Sequence, residues 1–191
     1  TGDIVEIYNI NDYKPTNFKK KINYIPSSKE SKNINELVIH ENEDFVVINK
    51  PRGIAVQSGT KNLKNIIDVL KYSKSFNDSK PYIVHRIDKE TTGIFLVAKN
   101  KSSAQFFTSL FRLRKIHKSY IAIVKGEVND SLKKMVDHLE YFEKNKKIKL
   151  KAITSVKIIK KNTHYSLLEL NPITGRKHQL RKQLYNRGHP I

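Results

Sequence analysis

The segment His85-Arg86-Ile87-Asp88-Lys89-Glu90-Thr91-Thr92-Gly93 places one carboxylate, Asp88, in a basic, turn-forming context. Apolar Tyr82, Ile83 and Val84 precede it, and a strand is predicted from Ile94 to Ala98. Asp88 then sits where a strand leaves a sheet. Hydroxyls at Thr91 and Thr92 would brace the turn, and Gly93 allows a tight return. An acid flanked by His85, Arg86 and Lys89 is expected to carry its charge at neutral pH. That suits a nucleophile better than a general acid. The competing reading of an isolated Asp in such a place is a turn cap.

Composition narrows the partners. The chain has 191 residues and a net charge of +19, from 37 basic and 18 acidic side chains. A balance so basic favours a polyanion, most simply nucleic acid. Most of the basic residues are lysines, and Ile and Asn are also abundant, which is the drift of an AT-rich genome. Part of the charge is then solvated surface, and the arginines carry more information than the lysines. Arg52, Arg86, Arg176 and Arg181 fall in glycine- or histidine-containing segments. A guanidinium offers a planar fork to phosphate or carboxylate that an ammonium cannot imitate. Arg112, Arg114 and Arg187 read as ordinary surface charge at helix ends. The absence of cysteine excludes disulfides and thiolate metal sites. No apolar run approaches membrane-spanning length and no signal peptide is visible, so a cytoplasmic protein without a membrane partner is expected.

These side chains need elements to hold them. Residues 1–8 read as a turn and short strand, and 9–32 as a polar linker with Pro15, Pro26 and the run Lys19-Lys20-Lys21. One catalytic-looking domain spans 33–191. Asp44 to Asn49 is an apolar strand turned by Lys50-Pro51-Arg52-Gly53. Leu63, Ile66, Ile67 and Leu70 have helical spacing, which predicts a helix from Asn62 to Tyr72. Ser102 or Ser103 is expected to cap a helix reaching Arg114, with Phe107, Leu110 and Phe111 on its apolar side. Ser119 to Lys125 alternates as a half-buried strand. Residues 129–151 read as a hairpin or variable insertion. Strands are predicted over Ile153 to Ile159 and Tyr165 to Leu170, then a helix from Arg176 to Asn186 closed by Gly188.

Four segments stand out in order: NKPRG (Asn49 to Gly53), HRIDKETTG (His85 to Gly93), KSYIAIVKG (Lys118 to Gly126) and ITGRKHQLR (Ile173 to Arg181). Together they resemble the RluA/RluC family of pseudouridine synthases over about Asp44 to Ile191. The tract GIAVQSGT (Gly53 to Thr60) is closest to the RluC-type branch, which acts on large-subunit (23S) ribosomal RNA. That branch carries an S4 RNA-binding domain in front, and TGDIVEI at the start resembles the tail of one. The family also continues past the position of Ile191 with further core strands, so the resemblance implies a catalytic domain that is incomplete at its C-terminus.

The resemblance implies the chemistry and the roles. Uridine in RNA becomes pseudouridine, with no cofactor and no metal, and the target nucleotide must be flipped out of its stack. Asp88 matches the catalytic aspartate, attacking either ribose C1′ or uracil C6. Tyr120 matches the active-site tyrosine, whose ring can stack on uracil and whose hydroxyl is a candidate base for the C5 proton. Read without the resemblance, it is a strand tyrosine filling core. Arg181 matches the basic partner of the aspartate. Arg86 lies where a side chain enters the space the base leaves. Arg176 and His178 would begin the last helix, whose amides and dipole favour phosphate. Lys50, Arg52 and Lys118 would contact backbone phosphates. Ile87 and Thr92 depart mildly from the family's usual Leu and Ser, and Lys182-Gln183 stands where Val-His is common. The implied fold is α+β, a mixed and mostly antiparallel sheet with flanking helices and a central catalytic cleft, in a monomer acting on ribosomal RNA or the pre-ribosomal large subunit.

Two rivals from other classes remain. A metal-dependent nuclease could draw on His85, Asp88, His117 and His178, but phosphoryl-transfer metals want clustered carboxylates and Asp88 has only Glu90 nearby. A non-catalytic RNA-binding module would use the same basic cleft. It has no need to keep Asp88, Tyr120 and Arg181 together.

Overall fold

Phe45–Lys50 (FVVINK) forms a strand whose period of two turns Val46, Ile48 and Lys50 to the same buried face. It is β2 of the computed structural model, which describes residues 26–27, 33–57, 64–77, 79–143 and 146–191. The expected RNA-binding tail at 1–8 and most of the expected linker lie outside these residues.

Strands β1 (Val38–Glu41), β2, β3 (Tyr82–Ile83) and β4 (Gly93–Ala98) form a 4-stranded sheet in the order β1-β2-β4-β3. Strands β5 (Tyr120–Lys125), β6 (Lys134–Glu143), β7 (Lys146–Lys161) and β8 (Tyr165–Pro172) form a second, ordered β5-β8-β7-β6. Every ladder is antiparallel. Among the described residues parallel pairing is confined to one isolated bridge, Ala55 to Asn65. The expected α+β class with antiparallel pairing holds, and the strands divide between two sheets.

Each sheet buries its alternating apolar face. In the first, Val46, Ile48, Phe95 and Val97 meet Leu70 and Phe76. In the second, Val124, Met135, Val156, Leu168 and Leu170 meet Leu184. Each such side chain contributes about 1.5–3 kcal/mol on burial.

Helix α1 (Ile66–Leu70) is capped by Asn65, whose side chain accepts from the Asp68 N–H. Among the described residues it is shorter than the predicted span. Helix α2 (Lys101–Arg112) is capped by Asn100, which accepts from Ser103 N–H at 2.8 Å. This corrects the expected serine cap: Ser103 sits inside the first turn, and its hydroxyl donates to Asp44 Oδ1 at 2.6 Å. Residues 129–151 contain the expected hairpin. β6 and β7 pair from Lys134↔Ser155 to Glu143↔Lys146, and β7 runs on through the predicted strand at 153–159.

Helix α3 (Gln179–Tyr185) starts later than expected. His178 has a left-handed backbone, φ 52°, and no side chain caps the helix. Arg176 therefore lies in the loop before it. The expectation that Arg176 begins the helix is corrected, and its N–H donates to Gln179 Oε1 at 3.0 Å. Among the described residues no helix is long and apolar enough to cross a membrane.

Candidate active site

Asp88 lies in the loop between β3 and β4, with its side chain 27% exposed. The backbone closes the turn after it, Thr91 N–H donating to Asp88 O at 3.1 Å. That bond replaces the expected threonine hydroxyls. Gly93 takes φ 108°, a conformation an L side chain would strain. His85 pins the start of the loop. Its Nε2 accepts from Leu96 N–H at 2.9 Å, and its ring stacks on Phe111 at 4.5 Å. Burial, and then the charge of Lys118, pull the imidazole from the ordinary 6.5 down to about 4. His85 is thus neutral, with its proton on Nδ1. It is not one of the cations expected around Asp88, and its Nε2 lone pair is not free for a metal.

The NKPRG turn clamps the far side of the loop. Lys50 is fully buried, and its ammonium donates to Pro51 O at 2.8 Å, Ile54 O at 2.9 Å and Lys89 O at 3.2 Å. Three hydrogens meet three carbonyls. Gly53 N–H donates to the same Lys89 O at 3.0 Å. Two donors thus hold the carbonyl of the residue that follows Asp88. Arg52 Nε meets Glu90 Oε2 at 2.8 Å and keeps that carboxyl below its ordinary range. Burial lowers the Lys50 pKa, with the Glu90 and Asp88 charges opposing it. The expectation that Lys50 contacts RNA phosphate is therefore wrong, because its amine is sealed inside the protein. The signal was present in the sequence: Lys50 has the same parity as Val46 and Ile48. Arg52, 77% exposed, keeps access to solvent beside its partner.

The second sheet supplies the opposite wall. Arg181, on α3, places Nε 3.8 Å from Asp88 Oδ2. His178 places Nε2 3.8 Å from Asp88 Oδ1. Both are ion-pair distances and longer than a hydrogen bond. His178, expected at RNA phosphate, instead faces the carboxylate. No spacing rule foretold this, because it depends on the left-handed turn before α3. Tyr120 opens β5 and packs on the second core. Burial first, then the Asp88 charge, raise its phenol pKa. The resting hydroxyl therefore keeps its proton. Lys118 is half-buried, with Nζ 3.7 Å from the position of a Cβ on Gly175. Burial and then Arg114 hold its ammonium below the usual lysine range.

The remaining arginines differ in setting. Arg86 is exposed beside the nucleophile loop. Arg176 donates through Nε to Lys151 O at 3.1 Å, tying the loop before α3 to β7. Arg187, expected as plain surface charge, is half-buried and donates to both Asp137 oxygens, at 3.1 and 3.0 Å. Arg114 adopts φ 58°, an uncommon left-handed backbone for a non-glycine residue.

A carboxylate on one sheet's loop, met at 3.8 Å by a guanidinium on α3 and by the imidazole before it, invites comparison with known proteins. The family model described as RNA pseudouridylate synthase matches residues 44–186. Ribosomal large subunit pseudouridine synthase D of Borreliella burgdorferi is 36% identical over 174 residues, covering 83% of this chain and 53% of that protein. Ribosomal large subunit pseudouridine synthase C of Vibrio vulnificus is 34% identical over 197 residues, covering 100% of this chain and 61% of that protein. The chain thus spans little more than half the length of these curated relatives. The solved structure of human RNA Pseudouridylate Synthase Domain Containing 4 superposes with a TM-score of 0.71 at 30% identity, covering 84% of this chain and 68% of that one. Since the matched region runs from β2 to α3 and takes in Asp88, Tyr120, His178 and Arg181, the chain belongs to the RNA pseudouridylate synthase family.

Proposed function

We propose that this chain isomerises specific uridines to pseudouridine in large-subunit ribosomal RNA, in the cytoplasm and without a cofactor. The observation that carries the reading is the Asp88 carboxylate set 3.8 Å from both Arg181 and His178, with the Tyr120 phenol near enough to feel its charge. The large-subunit names of the relatives support the choice of RNA.

The reaction breaks the N1–C1′ bond, forms a C5–C1′ bond, removes the C5 proton and leaves a proton on N1. Composition and oxidation state do not change, so the chemistry calls for no redox or group-transfer cofactor. The uridine leaves its stack before it can reach Asp88. Asp88 attacks either C1′, releasing uracil, or C6, and the arrangement supports both routes. The Arg181 guanidinium orients the carboxylate for that attack.

Tyr120 has two tasks on this reading. Its ring stacks on uracil throughout, and its oxygen relays a proton late, giving up the phenol proton towards N1 and taking the C5 proton in its place. On the C6 route Asp88 is still esterified when the C5 proton leaves, so one of the two causes that hold the phenol protonated is absent at that step. Exposed Arg86 enters the gap left by the flipped base. Arg52, Lys118 and Arg176 contact RNA phosphates.

The test is a transcript of large-subunit ribosomal RNA carrying tritium at uracil C5. The full-length protein is expected to release tritium and to leave pseudouridine at the same positions. Binding without release would favour the alternative, a non-catalytic RNA-binding module.

A further inference from the structure

Helix α3 aims Arg181 at Asp88, yet little in the helix itself holds it. It has 7 residues, and its N-cap, His178, makes no side-chain cap. Leu184 and Leu180 seat it on the second core, and a buried chain of side-chain amides holds it beside them. Gln179 is 4% exposed, Gln183 and Thr154 are fully buried, and Thr174 is 3% exposed. The alternation of β6 and β7 turns Asp137 and Thr154 to the same inner face as Met135 and Ala152, so those polar groups need partners there.

The amides supply them in one direction. Gln179 Nε2 donates to Thr154 Oγ1 at 2.9 Å and to Ile153 O at 3.1 Å. Thr154 Oγ1 donates to Gln183 Oε1 at 2.6 Å. Gln183 Nε2 donates to Asp137 Oδ2 at 2.7 Å. Asp137 is acceptor-only when ionised and takes Arg187 as well, which fixes the orientation of every amide before it. At the other end, Gln179 Oε1 accepts from Thr174 Oγ1 at 2.7 Å and from Arg176 N–H at 3.0 Å. Thr154 contributes the hydroxyl that links the two amides.

Gln179 and Gln183 are one turn apart and share a helix face. Arg181 lies between them in sequence, on the opposite face. A slip of one residue would swing Arg181 by about 100°. We propose that Thr154, Gln179 and Gln183 are positioning residues: their buried hydrogen-bond chain sets the rotation of α3 and so aims Arg181 at Asp88. This rests on the proposed isomerase reading only for its kinetic consequence.

The test uses the full-length protein with Thr154→Val, which keeps the shape and deletes the hydroxyl, and Thr154→Ser, which keeps the hydroxyl. Thr154→Val should lower kcat by about tenfold or more while the Kd for RNA stays within about twofold. Thr154→Ser should stay near wild type. The double variant Thr154→Val/Arg181→Ala should be no slower than Arg181→Ala alone, because the chain acts through Arg181. The Nε–H signal of Arg181 in nitrogen-15 spectra reads the aim of the guanidinium without RNA, and Thr154→Val should move it. Should that variant fail to fold, Gln183→Met breaks the chain one link further on and is read the same way. An unmoved Arg181 signal in a folded variant, or losses that add in the double variant, would overturn the proposal. A wild type that releases no tritium counts against the isomerase reading alone, and the Arg181 signal still judges the chain.

Discussion

Acidification should strip on the order of 3 kcal/mol of folding stability from this protein through His85 alone. Folded His85 is held neutral to about 4, against an ordinary 6.5. Its environment explains why: the ring is packed against Phe111 and Phe95, Nε2 receives the Leu96 N–H, and Lys118 adds like charge. The sign follows from the direction. The unfolded chain takes up this proton as the pH falls through about 6.5, while the folded chain refuses it until about 4. The contribution is whole above 6.5, shrinks by about 1.4 kcal/mol per pH unit below it, and is gone near 4. Carboxylates also titrate near the lower end, so the comparison needs a variant that cannot protonate there. His85→Gln can still accept from Leu96 through its amide oxygen. Urea melts of both proteins between pH 7 and pH 4 give the two slopes of stability against pH. The wild-type slope should exceed that of the variant by about one proton's worth across this window. Equal slopes would refute the account of His85 as a buried neutral acceptor.

Other expectations are direct. Lys50→Met should cost about 1–3 kcal/mol of stability and slow turnover, because Pro51 O and Ile54 O lose their ammonium donor and Lys89 O is left with Gly53 N–H alone. The salt slope of RNA binding should not change in that variant, and a shallower slope would restore Lys50 as a phosphate contact. Arg86→Ala and Lys118→Ala should each reduce that slope by about one, read by filter binding across a salt series. Asp88→Asn should lower the Tyr120 phenol pKa towards its ordinary value, since one of its two causes is removed. Titration with ring-labelled tyrosine measures this, and an unmoved Tyr120 would contradict the late-base assignment.

Local pattern carried much of this structure and failed at identifiable points. The turn at Asp88 and the strands around it follow from an apolar run, turn residues and Gly93. The hairpin within 129–151 and the half-buried alternation of 120–125 were legible too, while the continuation of β7 to Lys161 reads in the sequence as a separate strand. Lys50 was misread because its charge was weighed above its place in the alternation of β2. The Asn100 cap was missed because two serines follow it, one of which Asp44 engages from β2's leading turn. The start of α3 was misplaced because a left-handed His178 leaves no mark in composition. The partition into two sheets depends on pairings between distant strands, which periodicity along the chain does not encode. Arg187 and Asp137 are 50 residues apart, so their pairing was out of reach for the same reason.

The central claim is that Asp88 is the nucleophile and that Arg181 aims it. The most direct measurement is tritium release from uracil C5 of ribosomal RNA by Asp88→Asn protein, with RNA affinity measured on the same preparation. The account predicts no release and near wild-type affinity. Release at the wild-type rate would contradict it.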